Sequence, residues 1–180
     1  MAQAKELMLT DGKVPSIRKL ASALNVDAMA IYHYFNNKEA LLEAVTTSLM
    51  DNIYHPQHSE DWKHELECLC FSYLELLSTY SGLLETLLSM KSQGPAQLFT
   101  ERFNTVISPL GLSTASAADA LDLLVDYLHG FALAKRCNHS GEALTLDMIK
   151  GPLALYYTGL STVYRSVESP ESVAPASTLV

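Results

Sequence analysis

The sequence predicts an all-α protein with a small N-terminal helical domain followed by a larger helical body. Two observations predict this fold class. Apolar residues recur at helical spacing along the chain, and no stretch sustains the alternation of apolar and polar residues that marks a strand. We expect the N-terminal domain at residues 1–54, the helical body at 55–167 and a disordered tail at 168–180.

The composition limits the classes of protein to which this chain can belong. The chain has 180 residues, of which 48% are hydrophobic, enough for a buried core. No stretch approaches the ~20 uncharged apolar residues that a membrane span needs, and the first residues contain no apolar signal-peptide core. These features predict a soluble, cytoplasmic protein without a membrane partner. Cys68, Cys70 and Cys137 match no zinc or redox spacing, so we expect reduced thiols packed in helices, no metal and no cofactor.

Charge is distributed unevenly along the chain. The net charge is -8, yet residues 1–54 carry five Lys or Arg against six Asp or Glu. Nearly all the excess negative charge therefore lies beyond residue 54. A near-neutral segment with a locally basic face can still bind phosphate, while an acidic body limits indiscriminate binding to DNA.

The helices of the first domain are predicted from their caps and breaks. Ser16 and Asp27 are residues that favour the N-cap position, and Asn25 tolerates the left-handed conformation of a tight turn. Gly12 ends the first helix, and Asn36-Asn37 separates the third from the fourth. We expect helices at about residues 3–10, 16–24, 28–35 and 38–49.

A polar linker at His55–Ser59, broken by Pro56, leads into the body. Gly94-Pro95 and the segment 109–111 break the apolar stretches that follow. We expect body helices at about residues 60–80, 82–91, 96–107, 115–137 and 144–167, the last interrupted or restarted at Gly151-Pro152. The remaining segment, 168–180, is rich in Ser and Pro and is predicted to be disordered.

The most informative segment runs from Ser16 to Leu42, SIRKLASALNVDAMAIYHYFNNKEALL. Two short helices joined by a tight turn and followed by a third element form a helix-turn-helix. The major groove of DNA is ~12 Å wide and admits one helix, so the second helix must project from a compact support. We expect that support to consist of Leu20, Leu24, Val26, Ile31 and Phe35. The exposed positions of the third helix are then Ala28, Met29, Tyr32 and His33.

The same segment resembles the TetR family of one-component repressors. The signature of that family is a basic residue and Leu-Ala on the second helix, Val in the turn, an aromatic-rich short helix, and Lys before a Leu-rich helix. This chain carries Ser16, Arg18, Leu20-Ala21, Leu24, Val26, Ile31-Tyr32, Phe35, Lys38, Glu39 and Leu41-Leu42. The resemblance implies an N-terminal three-helix helix-turn-helix DNA-binding domain at residues 1–54 and a helical ligand-binding and dimerisation body at 55–167. It further implies a homodimeric repressor that binds double-stranded DNA at a palindromic operator and is released by a small apolar effector.

By this resemblance, Tyr32 and Lys38 contact phosphates, whereas Ala28, Met29 and His33 face bases. Lys38 also begins a helix, where free backbone N–H groups attract phosphate. For His33 a solvated surface role is an equal alternative, and Tyr32 has the alternative of packing on the first helix. The predicted DNA-binding set is Ser16, Arg18, Ala28, Met29, Tyr32, His33, Tyr34 and Lys38.

Polar or soft side chains among the apolar residues of the body are candidates for effector contact. A binding pocket is an apolar cavity with a few placed polar groups, although each such residue alone is more often an ordinary helix residue. The fourth helix and the linker at 55–59 join the two domains, so we expect them to move when the effector binds. The candidate contacts are His64, Tyr73, Asn104, Asp126, His129 and Cys137.

Two apolar stripes on the last two long helices can be read as core or as a seam between two copies. The resemblance favours the seam, in which two copies form a four-helix bundle about a two-fold axis. The stripes are Ala117, Leu121, Leu124, Leu128 and Phe131 or Ala132 on one helix, and Leu153, Tyr156, Leu160, Val163 and Val167 on the other.

Two other functions are weighed against the repressor. The alternative of a helical interaction protein that has lost specific DNA binding is motivated by a first helix about one turn shorter than is typical of the family, by a missing basic arm and by the acidic balance of the chain. An enzyme is disfavoured, because the sequence has no catalytic relay with supporting motifs, no Gly-rich phosphate loop and no metal-ligand spacing.

Overall fold

The computed structural model describes residues 1–138 and 143–168, with side chains up to residue 163. Within these ranges the regular elements are helices, which confirms the all-α prediction. The predicted disordered tail lies, from residue 169 onward, outside the described residues. The helices are α1 (Ala2–Asp11), α2 (Ile17–Ala23), α3 (Ala28–Tyr32), α4 (Lys38–Met50), α5 (Trp62–Thr79), α6 (Leu83–Ser89), α7 (Gly94–Ile107), α8 (Thr114–Cys137) and α9 (Lys150–Glu168).

Side-chain caps begin the short helices of the N-terminal part. The side chains of Ser16, Asp27 and Asn37 each accept a hydrogen bond from a backbone N–H two or three residues further on, at 3.2, 2.6 and 2.7 Å. Asn25 has a φ of 52°, the left-handed conformation expected of the turn between α2 and α3. The predicted caps at Ser16 and Asp27 are therefore confirmed.

The predicted support of α3 is only partly right. Leu24 and Val26 were expected inside, yet they are 45% and 44% exposed. The reason is that α2 ends at Ala23, and the left-handed turn at Asn25 then carries the chain along the surface. Three members of the support do pack inward: Leu20, Ile31 and Phe35.

The head (α1–α4) and the body (α5–α9) share one apolar core. Their main contact is between α4 and α7. The guanidinium of Arg102, on α7, donates to the carbonyl oxygens of Met50, Asp51 and Ile53 at 2.9, 3.0 and 2.9 Å. Because the last carbonyls of a helix have no partners within it, Arg102 caps the C-terminus of α4 from another element.

A second junction joins the head to the body through two glycines. Gly12 ends α1 with a φ of 67°, a left-handed conformation that glycine adopts without strain. A Cβ at Gly82, just before α6, would lie 1.5 Å from the carbonyl oxygen of Gly12. Only glycine at position 82 lets the two backbones approach this closely.

The predicted linker at His55–Ser59 is non-helical but is held against α5. The backbone N–H of Tyr54 donates to Ser72 Oγ at 2.8 Å, and that of Gln57 donates to Glu65 Oε2 at 2.8 Å. The buried Glu65 carboxylate also accepts from the Tyr54 hydroxyl at 3.1 Å. The segment between head and body is therefore anchored at two points.

The last helix restarts earlier than predicted. A 3₁₀ turn over Leu146–Ile149 leads directly into α9 at Lys150, so the break precedes Gly151-Pro152. Proline is tolerated in the first turn of a helix, where its missing N–H has no partner to lose. In the part of the chain that the structure describes, we find no helix with the length and apolar character needed to cross a bilayer.

Candidate nucleic-acid interface and effector cavity

The short helix α3 presents side chains to solvent along one face of the head. Met29 is 66% exposed and Tyr32 is 43% exposed, and His33 is also exposed. Tyr34, just after the helix, is 82% exposed, while Ala28 is partly buried. The structure therefore brings the predicted base-facing residues together on one accessible surface.

Basic side chains lie on the elements before and after this helix, at the start of α4, on α2 and just before α2. Lys13, Lys19 and Lys38 line one surface cleft together with Ser16 and Asp11. Lys19 Nζ lies 2.5 Å from Asp11 Oδ2, so this lysine is paired within the head. The other predicted contacts on this side, Ser16, Arg18 and Lys38, are exposed. This cleft could hold a backbone phosphate, which is the chemistry that positions a protein on DNA.

A partly enclosed cavity of about 260 Å³ lies in the body between α5, α6, α7 and α8, and reaches the end of α4. Its walls are mainly apolar, which is typical of a small-molecule site. Tyr73 lies 4.8 Å from the ring of Phe99, measured between centroids. The lining residues are Met50, Tyr73, Leu87, Leu88, Met90, Ser92, Pro95, Ala96, Phe99, Thr100, Leu121, Asp122, Val125 and His129.

Two polar side chains form a pair at the cavity wall. The hydroxyl of Tyr73 lies 2.7 Å from Nε2 of His129, a hydrogen bond whose donor depends on the imidazole tautomer. Burial lowers the pKa of His129 below its ordinary 6.5, although the nearby Asp126 carboxylate opposes this shift. Burial raises the pKa of the Tyr73 hydroxyl. Both groups are therefore uncharged near neutral pH, and the cavity favours an uncharged ligand at this point.

Of the six predicted effector contacts, Tyr73 and His129 line this cavity. The structure places the other four away from it, on solvent-exposed sides of their helices: His64, Asn104, Asp126 and Cys137. Cys137 was also expected to be packed and is instead exposed at the end of α8, whereas Cys70 is buried and Cys68 partly so. The apolar lining residues were missed, because in the sequence a cavity wall has the same pattern as core.

An apolar surface lies on α8 and α9, which form an open groove of about 560 Å³. Leu123, Leu155 and Val163 are 64%, 77% and 40% exposed there. The Tyr156 hydroxyl donates to the carbonyl oxygen of Ala120 at 2.7 Å and holds the two helices together. Leu123 and Leu155 were absent from the predicted stripes. Most of the leucines in those stripes pack into the chain's own core: Leu124, Leu128, Leu153 and Leu160.

Comparisons of the sequence with protein families match both parts of the chain. Residues 2–45 match the family described as bacterial regulatory proteins, tetR family, and residues 55–168 match the tetracyclin repressor-like C-terminal domain. A curated relative is the HTH-type transcriptional repressor DrrR1 of Streptomyces coeruleorubidus, 26% identical over 133 residues. That alignment covers 72% of this chain and 49% of DrrR1, so this chain spans about half the length of that relative.

Solved structures share the fold. Apo ActR from Streptomyces coelicolor superimposes with a TM-score of 0.79 at 17% identity, covering 92% of this chain and 94% of ActR. BioQ from Mycobacterium smegmatis superimposes with a TM-score of 0.75 at 20% identity, covering 90% of this chain and 95% of BioQ. BioQ has also been solved with its double-stranded DNA operator, and ActR with actinorhodin. The two family matches together assign this chain to the TetR family of bacterial regulatory proteins.

Proposed function

We propose that this chain is a ligand-responsive repressor that binds a roughly palindromic operator as a homodimer and is released by a small, largely apolar effector. One observation carries the proposal: α3 exposes Met29, Tyr32 and His33, and the elements before and after it in the helix-turn-helix form a cleft lined by three lysines. BioQ, solved with operator DNA, and ActR, solved with actinorhodin, support the two kinds of partner. The protein would act in the cytoplasm, where bacterial DNA lies.

The head, residues 1–54, would place α3 in the major groove. Tyr32, the last residue of α3, and Lys38, at the N-terminus of α4, would contact phosphates. Phosphate contacts fix orientation, and base contacts supply sequence preference. Ser16, Arg18 and Tyr34 would add contacts at the flanks, and Ala28, Met29 and His33 would face the bases.

The open groove on α8 and α9 would be covered by a second copy of the chain. Exposed apolar surface of this extent commonly marks an interface. At Gly159, which lines the groove, a Cβ would meet nothing within 4 Å, so a partner helix has room to approach. A two-fold axis along this seam would present two α3 helices to major-groove faces one or more helical turns apart.

The effector would occupy the cavity at Tyr73 and His129. The cavity adjoins the head directly, because Met50, the last residue of α4, is part of its wall. Two further lining residues contact α4 as well. Ser92 Oγ donates to Glu43 Oε1 at 2.5 Å, and Met90 Sδ accepts from the hydroxyl of the buried Thr46 at 3.5 Å.

These contacts give a route from effector to operator. A molecule that displaces the segment before α7 would move its contacts on α4, and with them the angle of the head. The two heads of a dimer would then be wrongly spaced for the operator. Because the coupling is reciprocal, operator DNA must weaken effector binding by the same factor.

The test begins with the purified full-length chain and a pool of random DNA duplexes. Enriched duplexes are then measured by gel shift at increasing salt. A repressor of this kind retains one duplex preferentially, and its affinity falls steeply with salt because phosphate contacts release counterions. If no duplex is enriched, DNA binding is wrong and the alternative of a helical interaction module is favoured.

The effector is tested separately with a panel of uncharged phenolic and other aromatic compounds. We expect some of them to raise the melting temperature and to release the enriched duplex. The same compounds should lose that effect in a Phe99→Trp variant, whose larger ring would fill part of the cavity. A compound that binds without any change in operator affinity would contradict the coupling.

A further inference from the structure

The recognition helix has an unusual chemical content for a surface that meets bases. The sequence of α3 is AMAIY, which contains no Arg, Lys, Asn, Gln, Asp or Glu. The adjacent Asp27 carboxylate is occupied as the N-cap, accepting from the backbone N–H of Met29 at 2.6 Å. Asn37 is likewise occupied as the cap of α4. α3 therefore has no side chain that can form the bidentate hydrogen bonds by which proteins read guanine or adenine, because its one polar group, the Tyr32 hydroxyl, makes contact through a single atom.

What α3 does offer is an apolar contact surface of small size. Met29 is 66% exposed, and the methyl side chains of Ala28 and Ala30 are partly exposed next to it. Small residues on either side of a flexible thioether let the helix approach a surface closely, and methionine adapts to its shape. The group on DNA that complements this surface is therefore an apolar group and not a hydrogen-bonding group.

The major-groove edges of the four bases contain one such group, the C5 methyl of thymine. We propose that α3 selects thymine at the bases that it faces, through contact of Met29 and Ala28 with thymine methyl groups. The inference rests on the DNA binding proposed above and adds the kind of base that α3 reads. The lysines beside α3 favour DNA over an apolar protein surface as the occupant.

The experiment uses the full-length chain and the duplex enriched from the random pool. Each thymine is replaced singly by deoxyuridine, which removes the methyl group and leaves base pairing intact. We expect one or two thymines in each half-site to lose about three- to fivefold in affinity, the equivalent of one buried methyl group. Thymines outside the segment protected by the protein should show no change and serve as the control.

A double-mutant cycle connects this loss to Met29. The Met29→Ala variant should lose affinity for the thymine duplex by about the same factor. Its loss should be less than twofold on the duplex with deoxyuridine at the critical position, because the contact is already missing there. Leu133→Ala, which truncates a 46% exposed leucine on α8, is the matched control and should bind both duplexes as the parent does.

The outcomes separate this inference from the proposed function. If the enriched duplex binds with unchanged affinity when each thymine is replaced, thymine reading is wrong while DNA binding stands. If Met29→Ala loses the same factor on both duplexes, Met29 does not contact the methyl and the inference is likewise overturned. If no duplex is enriched at all, the proposed function and this inference fall together.

Discussion

The open groove and the partly enclosed cavity of the body differ in the elements that surround them. The groove on α8 and α9 is wide and open, and leucines exposed by as much as 77% line it. The cavity at Tyr73 is about half that size, is walled by four helices of the body and includes a buried polar pair. The groove is lined by α8 and α9 alone, whereas the cavity has Met50 of the head in its wall.

The difference shows that size alone does not identify a ligand site. An open apolar strip suits another helix surface, since only a second apolar surface of similar length can cover it. A smaller cavity with placed polar groups suits a single molecule, and its contact with α4 lets occupancy be sensed by the head. The following predictions test this division, from the largest expected effect to the smallest.

The proposal that the groove is the dimer interface is tested by the Leu155→Glu variant, which changes the most exposed leucine of the groove. Placing a carboxylate in an apolar seam should dissociate the dimer, because the charge has no partner there. With each head then binding its half-site alone, operator affinity should fall by about 100-fold or more. Sedimentation and gel shift measure the two effects.

The control for that variant is Met148→Glu, which puts the same charge on a 51% exposed methionine outside the groove. It should leave the dimer and its operator affinity unchanged. A Leu155→Glu protein that stays dimeric would mean that the groove is not the seam.

The junction between body and head is tested by Arg102→Met. The buried carbonyl groups of Met50 and Ile53 would lose their donor and that of Asp51 would lose one contact, so the variant should be destabilised by about 3 kcal/mol, measured by urea unfolding. Arg136→Met, which breaks an exposed ion pair with Glu85, should cost less than about 1 kcal/mol. Equal losses in the two variants would contradict the special role of Arg102.

The polar pair in the cavity is tested by Tyr73→Phe. Removing the hydroxyl leaves His129 without this partner, so unfolding free energy should fall by about 1 kcal/mol. The same variant should bind effectors with a hydrogen-bonding group more weakly. Tyr34→Phe, which removes a hydroxyl at an 82% exposed position, should change stability by less than about 0.5 kcal/mol.

The smallest expected effect is a dependence of stability on pH. Burial lowers the pKa of His129 in the folded protein, so the unfolded chain binds a proton that the folded chain resists. The contribution of His129 to the free energy of unfolding is therefore fully present above pH 6.5. It is lost as the pH falls from 6.5 toward the lower pKa that His129 has in the folded protein. His129→Gln should flatten this part of the profile of unfolding free energy against pH, while His64→Gln, at an exposed position, should leave it unchanged.

The head was more predictable than the body because its signals are local. Ser16, Asn25 and Asp27 each fix the backbone within two or three residues, and the structure has each of them in its expected role. The errors in the head were Leu24 and Val26, whose burial depends on how the turn lies against α1 and α4. In the body, Tyr73 and His129 were predicted as effector contacts from residue type alone. The hydrogen bond between them could not be predicted, because 56 residues separate them in the sequence.

The sequence by itself determined the helical class, the order of the helices and the family to which the helix-turn-helix belongs, because spacing and capping act over a few residues. Tertiary structure alone decided which leucines face a groove and which fill the core, and which four of six polar candidates point away from the cavity. It also decided that Arg102 and Gly82 join the body to the head. These properties depend on the packing angles between helices distant in the chain, and a side chain's type does not specify them.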